Sequence, residues 1–219
     1  MRGCVNTPVS RAVVGRENTS LRPSRPRWAK RLFDVALASV GLLLSAPVWA
    51  VIAVAIKLDD GGPVFYAQER VGQGGRRFRS WKFRSMVPSA DQIFGRLQAG
   101  ERDTRVTRVG HVARAMALDE LPQLWNILKG DMSFVGPRPE RPFFVDLLKE
   151  KVPFYDLRHS VRPGITGWAQ VSCHYGASVE DAQQKLEYDL FYIKNFSLSF
   201  DSLILFQTIK IVLFGRGAR

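Results

Sequence analysis

Residues 35–56 read VALASVGLLLSAPVWAVIAVAI, a run of 22 positions without a single charge. A helix needs about 20 mostly apolar residues to cross the hydrocarbon core of a bilayer, so this run is a membrane segment. It starts too far from the N-terminus for a signal peptide and lacks the small-residue cleavage site of one. A long buried helix of a soluble protein is the competing reading.

The flanks decide how the segment sits. Lys and Arg collect on the cytoplasmic side of a spanning helix, yet here both sides are basic. Arg22, Arg25, Arg27, Lys30 and Arg31 precede the run, and Lys57, Arg70, Arg76, Arg77, Arg79, Lys82 and Arg84 follow it. A through-going helix would have to translocate one cluster, whereas a helix that enters and turns back leaves both in the cytoplasm. Pro47 offers the turning point. It removes one intrahelical hydrogen bond and clashes with the preceding turn, and Ser45 can satisfy a freed backbone group. The expectation is a re-entrant helix over 29–58, bent near Pro47. An ordinary spanning helix with a tolerated proline kink is the alternative.

Outward from this segment, the chain has 219 residues, 46% of them hydrophobic, enough for one domain with appendages. Its formal net charge of +12 calls for negatively charged partners: nucleic acid, anionic lipid or phosphorylated small molecules. The mixture RRFRSWKFR at 76–84 would suit nucleic acid, but an uncharged apolar run of this length has no place in an ordinary nucleic-acid binder. Two cysteines, Cys4 and Cys173, are too few for a disulfide framework. His111, His159 and His174 show no metal-ligand spacing.

Residues 1–28 read as a flexible basic tail, and 59–219 as a small mixed domain of helices and a hairpin, making the fold α+β. VFYAQERVG and FRSWKFRSM form a β-hairpin around the glycines at 72–75; the loop lacks the spacing of either phosphate-binding glycine fingerprint. Residues 89–100 read as helix, 101–110 as a charged connection, and a helical pattern resumes at HVARAMALDE. In ALDELPQLWNILKG, Asp119 as N-cap, Pro122 in the first turn and Gly130 past the end place a helix over 120–129. FVGPRPERP is a rigid loop, RHSVRPGITGWAQV a second loop ending in a short strand, and the C-terminal stretch from FSLSF an interfacial helix on the same membrane face.

The adjacent carboxylates Asp119 and Glu120 stand out in so basic a chain. An N-cap carboxylate is ordinarily structural. The same helix end is also an anion site, and Arg84, Arg114, Arg138, Arg158 and Arg162 can supply guanidinium groups for phosphate oxygens. Beside such a cluster a carboxylate serves as a ligand for Mg²⁺ or as a nucleophile on phosphorus. The residues alone reach membrane-associated phosphoryl chemistry with metal.

Lys30-Arg31 with Phe33-Asp34 before the apolar helix, then GPVFYAQERVG, KFRSM, LDELPQLWNILKGDMSFVGPRP and RPGITGWAQV, make the chain resemble the bacterial sugar transferases, the monotopic phosphoglycosyl transferases. The likeness runs from about Ala29 to the C-terminus. It implies a re-entrant helix bent at Pro47, a catalytic domain on the cytoplasmic face of the bacterial inner membrane, and transfer of a sugar 1-phosphate from a UDP-sugar to undecaprenyl phosphate, starting exopolysaccharide or O-antigen synthesis. It further implies a ping-pong reaction in which Asp119 attacks the β-phosphate and Glu120 helps bind Mg²⁺. By motif position Lys82, Arg84, Arg114, Arg138 and Arg162 contact phosphate or nucleotide. Relatives often carry Ser-Pro at the bend and Thr-Ser before the Leu-Asp-Glu, where this chain has SAP and AMALDE, so Met116 and Ala117 give the site no polar support. The chain resembles the catalytic unit alone, without the extra N-terminal helices of many relatives. A homodimer through the helices stays open. The rival reading is a catalytically silent scaffold of an export complex, with Asp119 merely capping a helix.

Overall fold

A computed structural model describes residues 27–87, 103–173 and 178–214. The expected tail over 1–28 lies outside them except for its last two residues, which open the first helix; the expected helix over 89–100, Cys4 and His174 also lie outside.

The apolar run forms the core of α1, Arg27–Asp60, a 34-residue helix that continues through Pro47. Ser45 Oγ donates to the Leu42 carbonyl at 3.4 Å, one residue before the carbonyl that Pro47 leaves without its helical donor. Gly61, at φ 70, ends the helix. The hairpin follows, with β1 (Phe65–Val71) antiparallel to β2 (Arg77–Phe83) in a register from Phe65↔Phe83 to Val71↔Arg77. Gly74 and Gly75 take positive φ in its turn, which is why glycine stands there.

Helix α2 (Arg108–Ala115) begins where the Thr107 hydroxyl accepts from the Gly110 N–H at 3.0 Å. The helix expected over 120–129 divides in two. Leu118–Glu120 is a 3-10 turn, and α3 runs Gln123–Lys129 with Pro122 as its N-cap residue. The expected cap by Asp119 is therefore a correction: its side chain makes no capping bond, because the true helix starts four residues later, after a proline whose fixed φ opens it. Gly130 ends α3 in the left-handed region, φ 96, as its place in the sequence implied.

A short parallel pair lies next, β3 (Ser133–Val135) beside β4 (Gly164–Thr166), connected through α4 (Pro142–Lys151) and a 3-10 turn at Tyr155–Ser160. The strand expected at the end of RHSVRPGITGWAQV is β4 within the loop, and Trp168–Ser172 is instead a helix, α5. Helix α6 (Val179–Lys194) opens on a reciprocal Ser178–Asp181 capping box, and α7 (Leu198–Phe214) closes the described chain.

Four apolar clusters bind these parts. Ala38 of α1 packs with Leu124, Ile127 and Met132; Ile52 and Ile56 pack with Phe83 of the hairpin. Val71 meets Val145, Tyr155 and Leu186, and Val135 meets Tyr192, Ile193 and Ile204. The domain thus grips one side of α1 along both halves, while Leu43, Leu44, Val51 and Val54 stay exposed. On α7, Phe206, Ile209 and Leu213 are exposed in the same way. Contiguous apolar surface of this kind marks contact with lipid or another protein.

Candidate active site

The acidic pair sits in the 3-10 turn between α2 and α3. Ala117, just before it, is held at φ 54 in the left-handed region, where a side chain costs about 1–2 kcal/mol. Such strain is tolerated because the surrounding packing fixes the turn.

Glu120 faces β2 and the loop after β3. Lys82 Nζ donates to its Oε1 at 2.6 Å and an Arg138 guanidinium N–H donates to the same oxygen at 3.0 Å. Burial alone would raise the Glu120 pKa, but the Lys82 and Arg138 charges and hydrogen bonds outweigh it and hold the carboxyl far below the usual range. Asp119 is buried, and among the described residues no hydrogen bond or ion pair reaches its carboxylate. Burial pushes its pKa up; Lys82 pulls the other way, and the Glu120 charge adds to the rise. One carboxylate is locked and ionised, and its neighbour is held back from ionising and left without partners.

The scaffold explains why the pair lies beside Lys82. Asn126 of α3, fully buried, accepts from the Trp81 N–H at 3.0 Å and donates to the Arg79 carbonyl at 2.7 Å. Its side-chain amide thereby replaces a third strand along the free edge of β2 and fixes α3 one residue from Lys82. Sequence reading passed over Asn126, which carries no motif-level mark.

The other predicted cations divide. Arg114 acts on Asp119 through its charge, and its Nε donates to the Ser85 hydroxyl at 2.9 Å. Arg84 is buried, forms a two-pronged ion pair with Asp60 and donates to the Pro63 carbonyl at 2.6 Å, so its guanidinium ties the end of α1 to the hairpin. Arg162 lines another cavity, together with Lys30 and Asp34. Arg158 pairs with Asp189 at 2.8 Å in the interior and reaches the site only by donating to the Arg138 carbonyl at 3.0 Å.

Arg70 and Gln123 were missed. Both line the small cleft at Glu120, with Ser80, Lys82, Arg138 and Pro139. Arg70 lies in the quoted AQERVG stretch, but only its spacing from the hairpin turn, opposite Phe78, reveals which face it takes.

No group of three or more His, Cys, Asp or Glu side chains stands together as a metal cage among the described residues. Mg²⁺ asks for less, one or two carboxylates completed by substrate phosphates and water. Adjacent Asp119 and Glu120 supply that donor set, and both cation contacts to Glu120 fall on Oε1.

A model of the bacterial sugar transferases matches residues 25–215, a span that takes in all of the described residues. The chain belongs to the bacterial sugar transferase family.

Within the family it is similar to the UDP-N-acetylgalactosamine-undecaprenyl-phosphate N-acetylgalactosaminephosphotransferase of Aeromonas hydrophila, 52% identical over 202 residues, covering 91% of this chain and 47% of that one. It is 44% identical over 186 residues to the UDP-glucose:undecaprenyl-phosphate glucose-1-phosphate transferase of Escherichia coli (strain K12), covering 84% and 40%. The chain thus spans less than half the length of these two relatives. The exopolysaccharide production protein ExoY of Rhizobium meliloti (strain 1021) matches end to end, 38% identical over 232 residues with 100% of both covered.

Proposed function

We propose that the chain transfers a sugar 1-phosphate from a UDP-sugar to undecaprenyl phosphate, an early step of exopolysaccharide or O-antigen assembly. The observation that carries this is the division between the two carboxylates: Glu120 is clamped by Lys82 and Arg138, and Asp119 is buried beside them without a partner. The printed activities of two family relatives supply the donor and acceptor classes.

In the proposed reaction an Asp119 carboxylate oxygen attacks the β-phosphorus of the UDP-sugar. The bond from that phosphorus to the bridging oxygen breaks, UMP leaves with the electron pair, and the sugar phosphate stays on Asp119 as an acyl phosphate. A phosphate oxygen of undecaprenyl phosphate then attacks the same phosphorus and returns the Asp119 carboxylate. Splitting the transfer in two lets one cationic site serve both half-reactions. Lys82, Arg138 and Arg114 offset the charge on the equatorial phosphate oxygens, and Arg70 closes the cleft from the hairpin. Mg²⁺ held by Glu120, with Asp119 beside it, would neutralise the diphosphate and favour departure of UMP.

The same reading places α1 as a re-entrant helix in the bacterial inner membrane, with the domain on the cytoplasmic face and α7 lying at the interface. It is supported by the outward apolar faces of both helices and by the packing of one domain against both halves of α1. Asp119→Asn keeps the size and burial of the side chain and removes the nucleophile. We expect it to lower UMP release from a UDP-sugar at least about 1,000-fold in membranes, with unchanged melting; UMP release at the parental rate would sink the nucleophile role.

A further inference from the structure

A cavity of about 310 Å³ opens beside the first turns of α1, and neither Asp119 nor Glu120 lines it. Lys30, Asp34 and Tyr192, all buried, line its inner part. Lys30 Nζ lies 3.2 Å from Asp34 Oδ1 and 2.9 Å from Asp201 Oδ2. Lys30 is thus ion-paired to both carboxylates, while Asp34 Oδ2 is buried and accepts no hydrogen bond. Asp34 Oδ1, by contrast, accepts from the Ser133 hydroxyl at 3.1 Å and the Phe134 N–H at 3.2 Å.

A buried acceptor left unused costs about 1–3 kcal/mol, and an ammonium with three N–H groups between two carboxylates has one to spare. A hydroxyl satisfies both, since it accepts and donates. A single water does so too, but one water fills roughly 30 Å³, so this space is sized for a larger polar group. Toward the mouth stand Arg162 and Arg31, the latter with one N–H of each terminal nitrogen on the Ile127 and Leu128 carbonyls and the others left over, and three cations against one carboxylate line the cavity. Guanidinium pairs of this kind suit phosphate. Trp28, 70% exposed, marks the mouth, and the apolar stretch begins within two turns of it. Exposed Trp at the start of a membrane helix sits at headgroup depth.

We infer that this cavity seats the polyhydroxylated headgroup of a membrane lipid, its hydroxyls between Lys30 and Asp34 and its phosphate at Arg31 and Arg162. Two lipids carry that chemistry, a phosphatidylglycerol and a lipid-linked sugar phosphate. The inference rests on α1 lying in a membrane and not on the role of Asp119, so its readout is binding, measured on the parent chain and on Asp119→Asn alike.

The full chain in detergent is titrated with dioleoyl-phosphatidylglycerol, -phosphatidic acid and -phosphatidylcholine, and bound lipid is counted by native mass spectrometry. Phosphatidylglycerol is expected to bind at least tenfold more tightly than phosphatidic acid, which lacks the hydroxyls, and than phosphatidylcholine, which lacks net charge. Gln73→Trp, which fills the mouth from the hairpin turn, and Arg162→Gln should each weaken it at least tenfold, with melting followed to confirm folding. A polyprenyl diphosphate sugar that displaces phosphatidylglycerol at lower concentration would assign the sugar lipid as occupant; failure to displace assigns the phospholipid. Equal binding of the three phospholipids, or undiminished phosphatidylglycerol binding in both folded variants, overturns the inference and leaves a cavity filled by solvent.

Discussion

In the proposed reaction Asp119 attacks as the carboxylate, and burial raises its pKa above the ordinary carboxylate value of 3.8. The acid limb of kcat/KM should therefore lie at higher pH than that of a free aspartate, while Glu120, held ionised by Lys82 and Arg138, adds no limb there. Arg114 opposes the rise, so Arg114→Gln should move the limb to still higher pH; a limb that shifts down or stays put would contradict this account of the charge balance. His159 tests the same physics through stability. Burial first, and then the Arg158 charge, depress its pKa from 6.5 to about 4. The unfolded chain takes a proton as pH falls below 6.5 and the folded chain does not until about 4. Stability is therefore full above pH 6.5 and declines through that window, by at most about 3 kcal/mol. His159→Asn should flatten the fall in melting temperature between pH 7 and 4.5; an equally steep fall would place the effect elsewhere. At this scale the sequence marked Glu120, Lys82 and Arg138, and the structure brings them together. The sequence did not reveal that Arg84 pairs with Asp60 or that Arg162 lines another cavity, because residue type does not say which carboxylate or cavity will claim a guanidinium; Asp60 lies 24 positions before its partner.

The elements owe their positions to polar contacts as much as to apolar packing. Asn126 holds α3 on β2 through two backbone groups of the strand, and its amide also donates to Asp131, just past the helix end, at 3.3 Å. Asn126→Ala would leave a buried N–H and a buried carbonyl without partners, costing about 2–4 kcal/mol. UMP release should fall with the melting temperature, because Lys82 follows Trp81 on the same strand. A stable variant with full turnover would show that the cleft does not depend on this joint. Hairpin, membrane helix, α3 terminus and C-terminal helix were legible, since each has a local signature: alternation, an uncharged run, a glycine stop. The start of α3 and the helix α5 were not. LDELP satisfies the rules for an N-cap at Asp119, but Ala117 in the left-handed region swings the pair into a 3-10 turn, and that conformation is imposed by packing. GWAQV has strand-like composition, yet Gly167 sits where any side chain would strike the Gly136 carbonyl, and the chain turns into α5 directly after it.

At the scale of the whole molecule the question is where the two ends of α1 lie. A straight helix of 34 residues is about 51 Å long against a hydrocarbon core of about 30 Å, so length permits a full crossing. Packing argues otherwise. Near one end Arg31 donates to the carbonyls of Ile127 and Leu128, and Lys30 meets Asp201. At the other, Asp60 holds Arg84, and in the second half of the helix Trp49 packs tilted and edge-on against the stacked rings of Phe65 and Phe83. The partners at the two ends belong to one domain, joined through Asn126 and the hairpin, and that domain buries charged groups such as Asp189 and Arg158. A straight crossing would draw this polar body into hydrocarbon along with the helix, at a cost of several kcal/mol for each unpaired polar group. Both ends should therefore face one side, with the exposed Leu43 and Leu44 near the middle reaching into lipid. The measurement uses a chain with Cys4 and Cys173 replaced by serine and single cysteines at Trp28 and Leu58, which are 70% and 82% exposed. An impermeant maleimide should modify both in inverted inner-membrane vesicles and neither in intact spheroplasts. Labelling of the two positions from opposite sides would mean that α1 crosses the bilayer, and the domain would then have to let go of one half of the helix.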